Sequence, residues 1–403
     1  MTDKKLNNNI TESVEKAFYQ WLITKSSEST EDYNDGMFDE NMLSSGIALD
    51  KKSRKPNQRV LLDVEKQGEM RRADERKQKE SFRVMANTIL SQNMHKHMSS
   101  VLSDSNNVLP IAKLPATFSD LMDVLYSPSS NYRSLASIIS GTVGLPKQIL
   151  ALVNNSDFCS TVGREVRLIK DPQTAIGAIG AVGLRQVIPM MIMKGSLKFE
   201  CEHFPRLSQK LWSFGTTKGN AMAALLRHHG YGKEEGDELD GLLLGAFTIL
   251  GMVCIHHQFS RSFEDVRQGC LVKLRDQQKR DLYNGMIEAE ADRAMMQTFM
   301  YQYGPTVTAM LVENFNWGNR LAHLKRAFED EHANIAIEQR SLHGKLILQA
   351  DRYAKFEMLR KAKRFPGKEA IKPYFSGCGI DASALTELNS SDLRKLDMRR
   401  YIG

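Results

Sequence analysis

The run Leu239–His257, LDGLLLGAFTILGMVCIHH, is apolar almost without break. It carries no charge between Leu242 and Ile255 and holds Gly241, Gly245 and Gly251. A membrane span wants ~20 consecutive apolar residues. This run is shorter and interrupted, and no other window reads as reaching membrane length. It predicts a buried helix in a large helical protein.

The flanking pattern has helical period. Val14, Phe18, Trp21 and Leu22 share one face of a helix over Ile10–Ile23, with Thr11 as expected N-cap. Residues 25–58 are polar and rich in Ser, Asp, Asn and Lys, and read as a linker or disordered segment. Arg59 to Ser103 reads as a long, charged helix or two in tandem. Its mixed-sign run is a solvated face, and its apolar positions are too irregular for a heptad seam. His95 and His97 are two residues apart, on different helix faces, and are expected at the surface.

Three short amphipathic helices follow. Phe118, Leu121, Met122 and Leu125 form an i, i+3, i+4, i+7 stripe, with Thr117 as expected cap. Leu135, Ile138 and Ile139 mark the second, and Leu145, Ile149, Leu152 and Val153 the third. Asp171-Pro172 opens a segment with Gly177, Gly180 and Gly183. Interior glycine costs a helix ~1 kcal/mol, so a neighbouring backbone packs closely there, or the helix breaks near Gly180–Gly183. Further helices are expected over Ser208–His229, 306–315 and 323–362, and 263–297 reads as a charged amphipathic stretch with Asp276 to Asp281 exposed. Two small capped helices are expected near Ser383 and Ser390. Period-2 alternation is nearly absent, and the predicted fold class is all-α. The organisation expected is 1–108 charged helices and polar linker, 109–362 helical domain, and 363–403 a short C-terminal unit.

Composition narrows the chemistry modestly. The net charge is +7 with a pI near 9.0, yet no aromatic-basic signature of nucleic-acid recognition accompanies it. Cys159, Cys201, Cys254, Cys270 and Cys378 lie far apart with no CxxC pair, which argues against a disulfide framework or a zinc knuckle. The first residues lack the apolar core of a secretory signal, and a cytoplasmic location is expected. No GxGxxG loop follows a strand, and GYGKEEG at 230–236 reads as a plain loop.

In order and spacing, LPATFSDLMDVLY, LASIISGTVGLPKQILALVNN, TAIGAIGAVGLRQV, KLWSFGTTKGNAMA and LLLGAFTILGM resemble the HDOD domain family over roughly Leu109 to Trp317. The resemblance implies a bacterial, all-helical domain related to HD-type metal-dependent phosphohydrolases. It also implies a regulatory output and no known reaction. Catalytic HD relatives carry Gly-Leu-Leu-His-Asp-Ile-Gly, where this chain reads Gly245-Ala246-Phe247-Thr248-Ile249-Leu250-Gly251. The His and Asp positions are therefore Thr248 and Ile249, and a further ligand-type His falls at Phe214. The family's Asp-Pro becomes Thr142-Val143. Asp351 corresponds to the distal Asp of HD enzymes.

HD chemistry needs imidazole and carboxylate groups converging on a divalent ion that lowers the pKa of bound water. With Phe214, Thr248 and Ile249 in place of ligands, no catalytic residue, metal or cofactor is expected. The leading expectation is a non-enzymatic regulatory protein with a protein partner in a signalling pathway, or with a small-molecule or nucleotide ligand. No membrane association is expected, and the oligomeric state stays open. One alternative is a phosphohydrolase with a relocated metal site drawn from His228, His229, His256, His257 and Asp351. Against it, adjacent histidines diverge by ~100° on a helix, and histidine near a helix C-terminus is ordinary. Another alternative is a nucleotide or nucleic-acid binder using Arg360, Lys361, Lys363 and Arg364.

Overall fold

Helices account for most of the described residues of this computed structural model, and no strand occurs among them, so the fold is all-α. The structure describes residues 2–24, 63–127, 131–163, 165, 167–198, 201–230, 239–315, 321–390 and 393. The expected linker over 25–58, the 230–236 loop after Gly230, and most of the helix expected at Ser390 lie outside them.

In chain order the helices are α1 (Thr2–Ile23), α2 (Asp63–Leu102), α3 (Ser105–Ile111), α4 (Phe118–Tyr126), α5 (Tyr132–Gly141), α6 (Leu145–Val153), α7 (Ser156–Thr161) and α8 (Pro172–Ser196). Then come α9 (Leu207–His228), α10 (Leu239–Phe247), α11 (Leu250–Asp276), α12 (Arg280–Ile287), α13 (Arg293–Glu313), α14 (Ala322–His332), α15 (Leu342–Lys361), α16 (Ile371–Ser376) and α17 (Ala382–Ser390). They divide into two units. One comprises residues 1–25, 94–265 and 291–403, the other residues 26–93 and 266–290.

Within the smaller unit, Gly285 of α12 lies against α2, where an added Cβ would stand 3.0 Å from the Phe82 carbonyl oxygen. Lys79 and Glu288 pair at 3.1 Å. The charged run of α2 from Glu69 to Ser81 is exposed throughout, as a solvated face should be.

Within the larger unit, α9 and α10 cross at unusually short range. A Cβ on Gly245 would fall inside the backbone of Gly219, and one on Gly241 would lie 2.6 Å from the Ala223 nitrogen. Those glycines are spaced i, i+4, so both face α9 and let two main chains meet. Leu242, Leu243, Leu244, Ala246 and Phe247 are then buried in the core. The expected break in α8 is present. Gly180 has φ 74 and ψ 165, which ends one helical segment and starts the next.

Several sequence expectations are corrected. α1 begins at Thr2, so Thr11 is interior and its hydroxyl donates back to the Asn7 carbonyl at 2.8 Å. Thr117 makes no cap bond and pairs instead with the Thr142 hydroxyl. The 263–297 stretch, read as charged and amphipathic, is divided among α11, α12 and α13, and Asp276 to Asp281 are exposed as read. The 306–315 helix begins at Arg293 and runs through Pro305. The 323–362 helix is two helices joined by a bend with Asn334 at φ 48. Two segments, Pro172–Ser196 and Asp240–Asp276, do have the length and hydropathy to cross a membrane. The Leu239–His257 run extends past its charge-free centre, with Asp240 the single charge at its head. In the fold, 94% of that second apolar window is buried against other parts of the chain.

Candidate functional site

The α9–α10 crossing places the HD-type positions together. Phe214 is fully buried and stacks on Phe18 of α1 with ring centroids 4.7 Å apart. Ile249 is also fully buried and covers Gly215, where an added Cβ would meet its Cδ1 at 2.7 Å. The Thr248 hydroxyl turns back on its own helix and donates to the Gly245 carbonyl at 2.9 Å. These three positions are packing atoms.

Asp351, the residue expected at the distal Asp position, has both carboxylate oxygens engaged. Lys218, one turn beyond Phe214 on α9, donates from Nζ to Asp351 Oδ1 at 2.7 Å. Lys355, one turn beyond Asp351 on α15, reaches Oδ2 at 2.7 Å. The same Lys355 Nζ donates to both oxygens of Glu15 on α1, each at 2.7 Å. The side chains of Lys218, Asp351, Lys355 and Glu15 are 4%, 10%, 6% and 18% exposed. Two ammonium groups and two carboxylates thus form a neutral, buried chain of ion pairs, roofed by aromatic rings. Lys355 Nζ lies 5.5 Å from the Phe18 centroid and 5.7 Å from that of Tyr19, within cation–π range.

The electrostatics follow from this packing. Burial favours the neutral acid at Asp351, yet Lys218 and Lys355 outweigh it and hold the carboxyl well below the usual range. Burial lifts Glu15 above its ordinary value, with Lys355 opposing only in part. Burial would also depress Lys355, but Asp351 and Glu15 reverse this and keep it cationic. A divalent ion needs oxygen or nitrogen lone pairs directed at it. Here both carboxylate oxygens of Asp351 accept from ammonium groups, and Phe214 and Ile249 offer none. The residues present do not fit the metal that HD enzymes hold.

The four histidines of the alternative site do not assemble. His256 Nε2 lies 3.3 Å from the Ser208 hydroxyl, at the start of α9. His228 Nε2 lies 3.3 Å from Ser383, at the end of α9. Twenty residues of helix separate Ser208 from His228, about 30 Å at 1.5 Å per residue. A metal drawn from both histidine pairs and Asp351 is therefore corrected to two separate pairs. Burial pushes His256 down to about 3 and lowers His257 too, so both rings are neutral at pH 7. Cys254 beside them is raised to about 12 by burial, which leaves an inert thiol. All five cysteines are free and buried.

Among the basic residues singled out, Arg360 donates to Glu357 at 2.9 and 3.1 Å, and Lys361 pairs with the same carboxylate at 3.3 Å. Lys363 sits in the turn ending α15 at φ 54, and Arg364 reaches the Thr24 hydroxyl at 3.4 Å. Two of these four charges thus share one carboxylate.

A different trio was not anticipated. Asp240, His323 and His343, each the second residue of its helix, bring ligand-type atoms within 4.8 Å of one another. His323 Nε2 is 3.1 Å from Asp240 Oδ2, and the two imidazole centroids are 4.6 Å apart. Separately, Phe118, Ser119, Met122, Leu243, Phe247, Phe315 and Leu321 line a small apolar pocket.

The HDOD domain family matches residues 111–289. No curated protein matches the chain. Among solved structures, a protein from Shewanella amazonensis SB2B named as a candidate metal-dependent phosphohydrolase aligns with 77% of this chain and 98% of its own. Identity is 13% and the TM-score 0.45. The matched family segment contains Phe214, Lys218, Thr248 and Ile249, while Glu15, Asp351 and Lys355 lie outside it. Over residues 111–289, which hold α4 to α12, this chain is similar to the HDOD domain family.

Proposed function

We propose that this chain is a non-catalytic bacterial regulatory protein whose HDOD domain acts as a binding platform for a protein partner. One observation carries the reading: the carboxylate of Asp351 is held by Lys218 and Lys355, each at 2.7 Å. Two side-chain ammonium groups supply the positive charge that a divalent ion supplies in HD enzymes, and an ammonium group has no site for activating water. A cytoplasmic location belongs to the same reading, with one apolar helical window, within Asp240–Asp276, 94% buried inside the fold.

The test is hydrolysis of an activated aryl phosphodiester and of nucleoside triphosphates by the full chain, with Mg(II), Mn(II) or Fe(II). The expected result is no turnover above the protein-free blank. Metal-dependent turnover that disappears in Asp351→Asn would sink the proposal.

A further inference from the structure

We infer that Asp240, His323 and His343 form a binding site for a divalent transition ion of the zinc class, separate from the Asp351 cluster. Three observations converge on it. First, the donor set is one carboxylate and two imidazoles, the combination that zinc uses in open three-ligand sites. It is the one trio of His, Cys, Asp or Glu side chains gathered this closely among the described residues.

Second, Asp240 is left incomplete by the protein. Its side chain is only 7% exposed. Oδ2 faces His323 Nε2 at 3.1 Å, while Oδ1 is buried with no hydrogen-bond partner among the described residues. A buried carboxylate oxygen without a donor is unfavourable by roughly 1–3 kcal/mol or more. A cation on that side of the carboxylate removes the deficit.

Third, the chain brings these residues together by a specific bend. His323 and His343 would be about 30 Å apart on one continuous helix of 1.5 Å rise. Instead, Asp330 Oδ2 accepts from the Ser341 backbone nitrogen at 2.7 Å and from its hydroxyl at 2.5 Å. Arg340 donates to the Ile335 carbonyl at 2.7 Å and pairs with Glu331. These bonds fold α15 back on α14 and bring the two imidazole centroids to 4.6 Å with their planes tilted by 59°.

Ligand atoms around a tetrahedral zinc sit about 3.4 Å apart, from bond lengths of ~2.0–2.2 Å. The His323–Asp240 separation already meets that spacing, and small side-chain rotations bring in His343. The His323 side chain is 40% exposed, so an ion can enter from solvent and a fourth position stays open to water. Bound there, the ion ties the first turns of α10, α14 and α15 together.

The test uses the full chain, stripped with a chelator and titrated with zinc(II) against a competing colorimetric indicator. The expected result is one tight equivalent for the unmodified chain. Binding should weaken at least tenfold in Asp240→Asn and in His343→Gln, and should stay unchanged in a His228→Gln/His229→Gln control. His343 is partly exposed, so His343→Gln keeps the test sound if Asp240→Asn folds poorly. A second readout is the zinc-induced rise in melting temperature, expected in the unmodified chain and absent in His343→Gln. No binding by the unmodified chain, or equal binding by every variant, would overturn the site. Neither outcome bears on the Asp351 cluster, which is tested by hydrolysis.

Discussion

Replacing Lys355 by Met removes the cation that joins two carboxylates while keeping an unbranched side chain of similar length. Glu15 then loses both of its 2.7 Å bonds, and Asp351 keeps only Lys218. Deleting one partner of a buried ion pair destabilises by about 3–5 kcal/mol. A second route caps that figure, because Glu15 can be buried as the neutral acid. Protonating a carboxyl of ordinary pKa ~4.3 takes about 3.7 kcal/mol at pH 7 and about 1 kcal/mol at pH 5. Glu15 retains 18% side-chain exposure, which softens the loss further. The expected penalty is therefore about 3 kcal/mol at pH 7, falling to about 1 kcal/mol at pH 5. Urea unfolding followed by helical circular dichroism at both pH values measures it. The Lys355→Met/Glu15→Gln double variant should recover much of the loss at pH 7. A penalty under ~1 kcal/mol at pH 7, or one undiminished at pH 5, would refute the idea that this ion-pair chain is a tightly coupled substitute for a metal.

His256 offers a second pH test. Its folded pKa of about 3 lies below the unfolded 6.5, so its contribution is fully present above pH 6.5 and declines as pH falls. His256→Asn should flatten the stability profile between pH 6.5 and 4 by about 1.4 kcal/mol per pH unit, and an unchanged slope in urea midpoints would contradict it. Gly245→Ala should gain ~1 kcal/mol of helix propensity but lose more from backbone overlap with Gly219. A net loss of roughly 1–2 kcal/mol is expected on thermal melting, and net stabilisation would show that α9 and α10 are not in main-chain contact. Gly180→Ala meets no neighbour within 4 Å, yet φ 74 forces a loss of about 1–3 kcal/mol, so a variant melting at or above the parent would deny the bend in α8.

Much of the helical layout was legible because apolar stripes at period 3.6 record burial directly. The stripe Phe118, Leu121, Met122 and Leu125 is buried as read. Breaks were harder, since a charged amphipathic pattern continues smoothly across a bend made by side-chain bonds. The 323–362 stretch shows this best. Asp330, Arg340 and Ser341 look like ordinary surface polar residues, and only in three dimensions do they close the turn that brings His323 to His343. The HD-type vacancies at Phe214, Thr248 and Ile249 were readable from the resemblance. Their replacement by lysine was not, although one signal existed. Lys218 is the only charged residue between Lys210 and Arg227 on an otherwise apolar helix, and a lone charge on a buried face implies a partner. That partner, Asp351, is 133 residues away.

The bond between Lys355 and Glu15 spans 340 positions of sequence. On a ribosome adding ~5–20 residues per second, Lys355 follows Glu15 by roughly 17–70 s. During that interval α1 is complete but has neither its counter-ion nor the α15 surface on which it rests. Phe18 can meet Phe214 once α9 is made, but the α15 share of the cover over Val14, Phe18 and Leu22 comes only with that later helix. Final docking of α1 on α15 thus waits until α15 itself has been made.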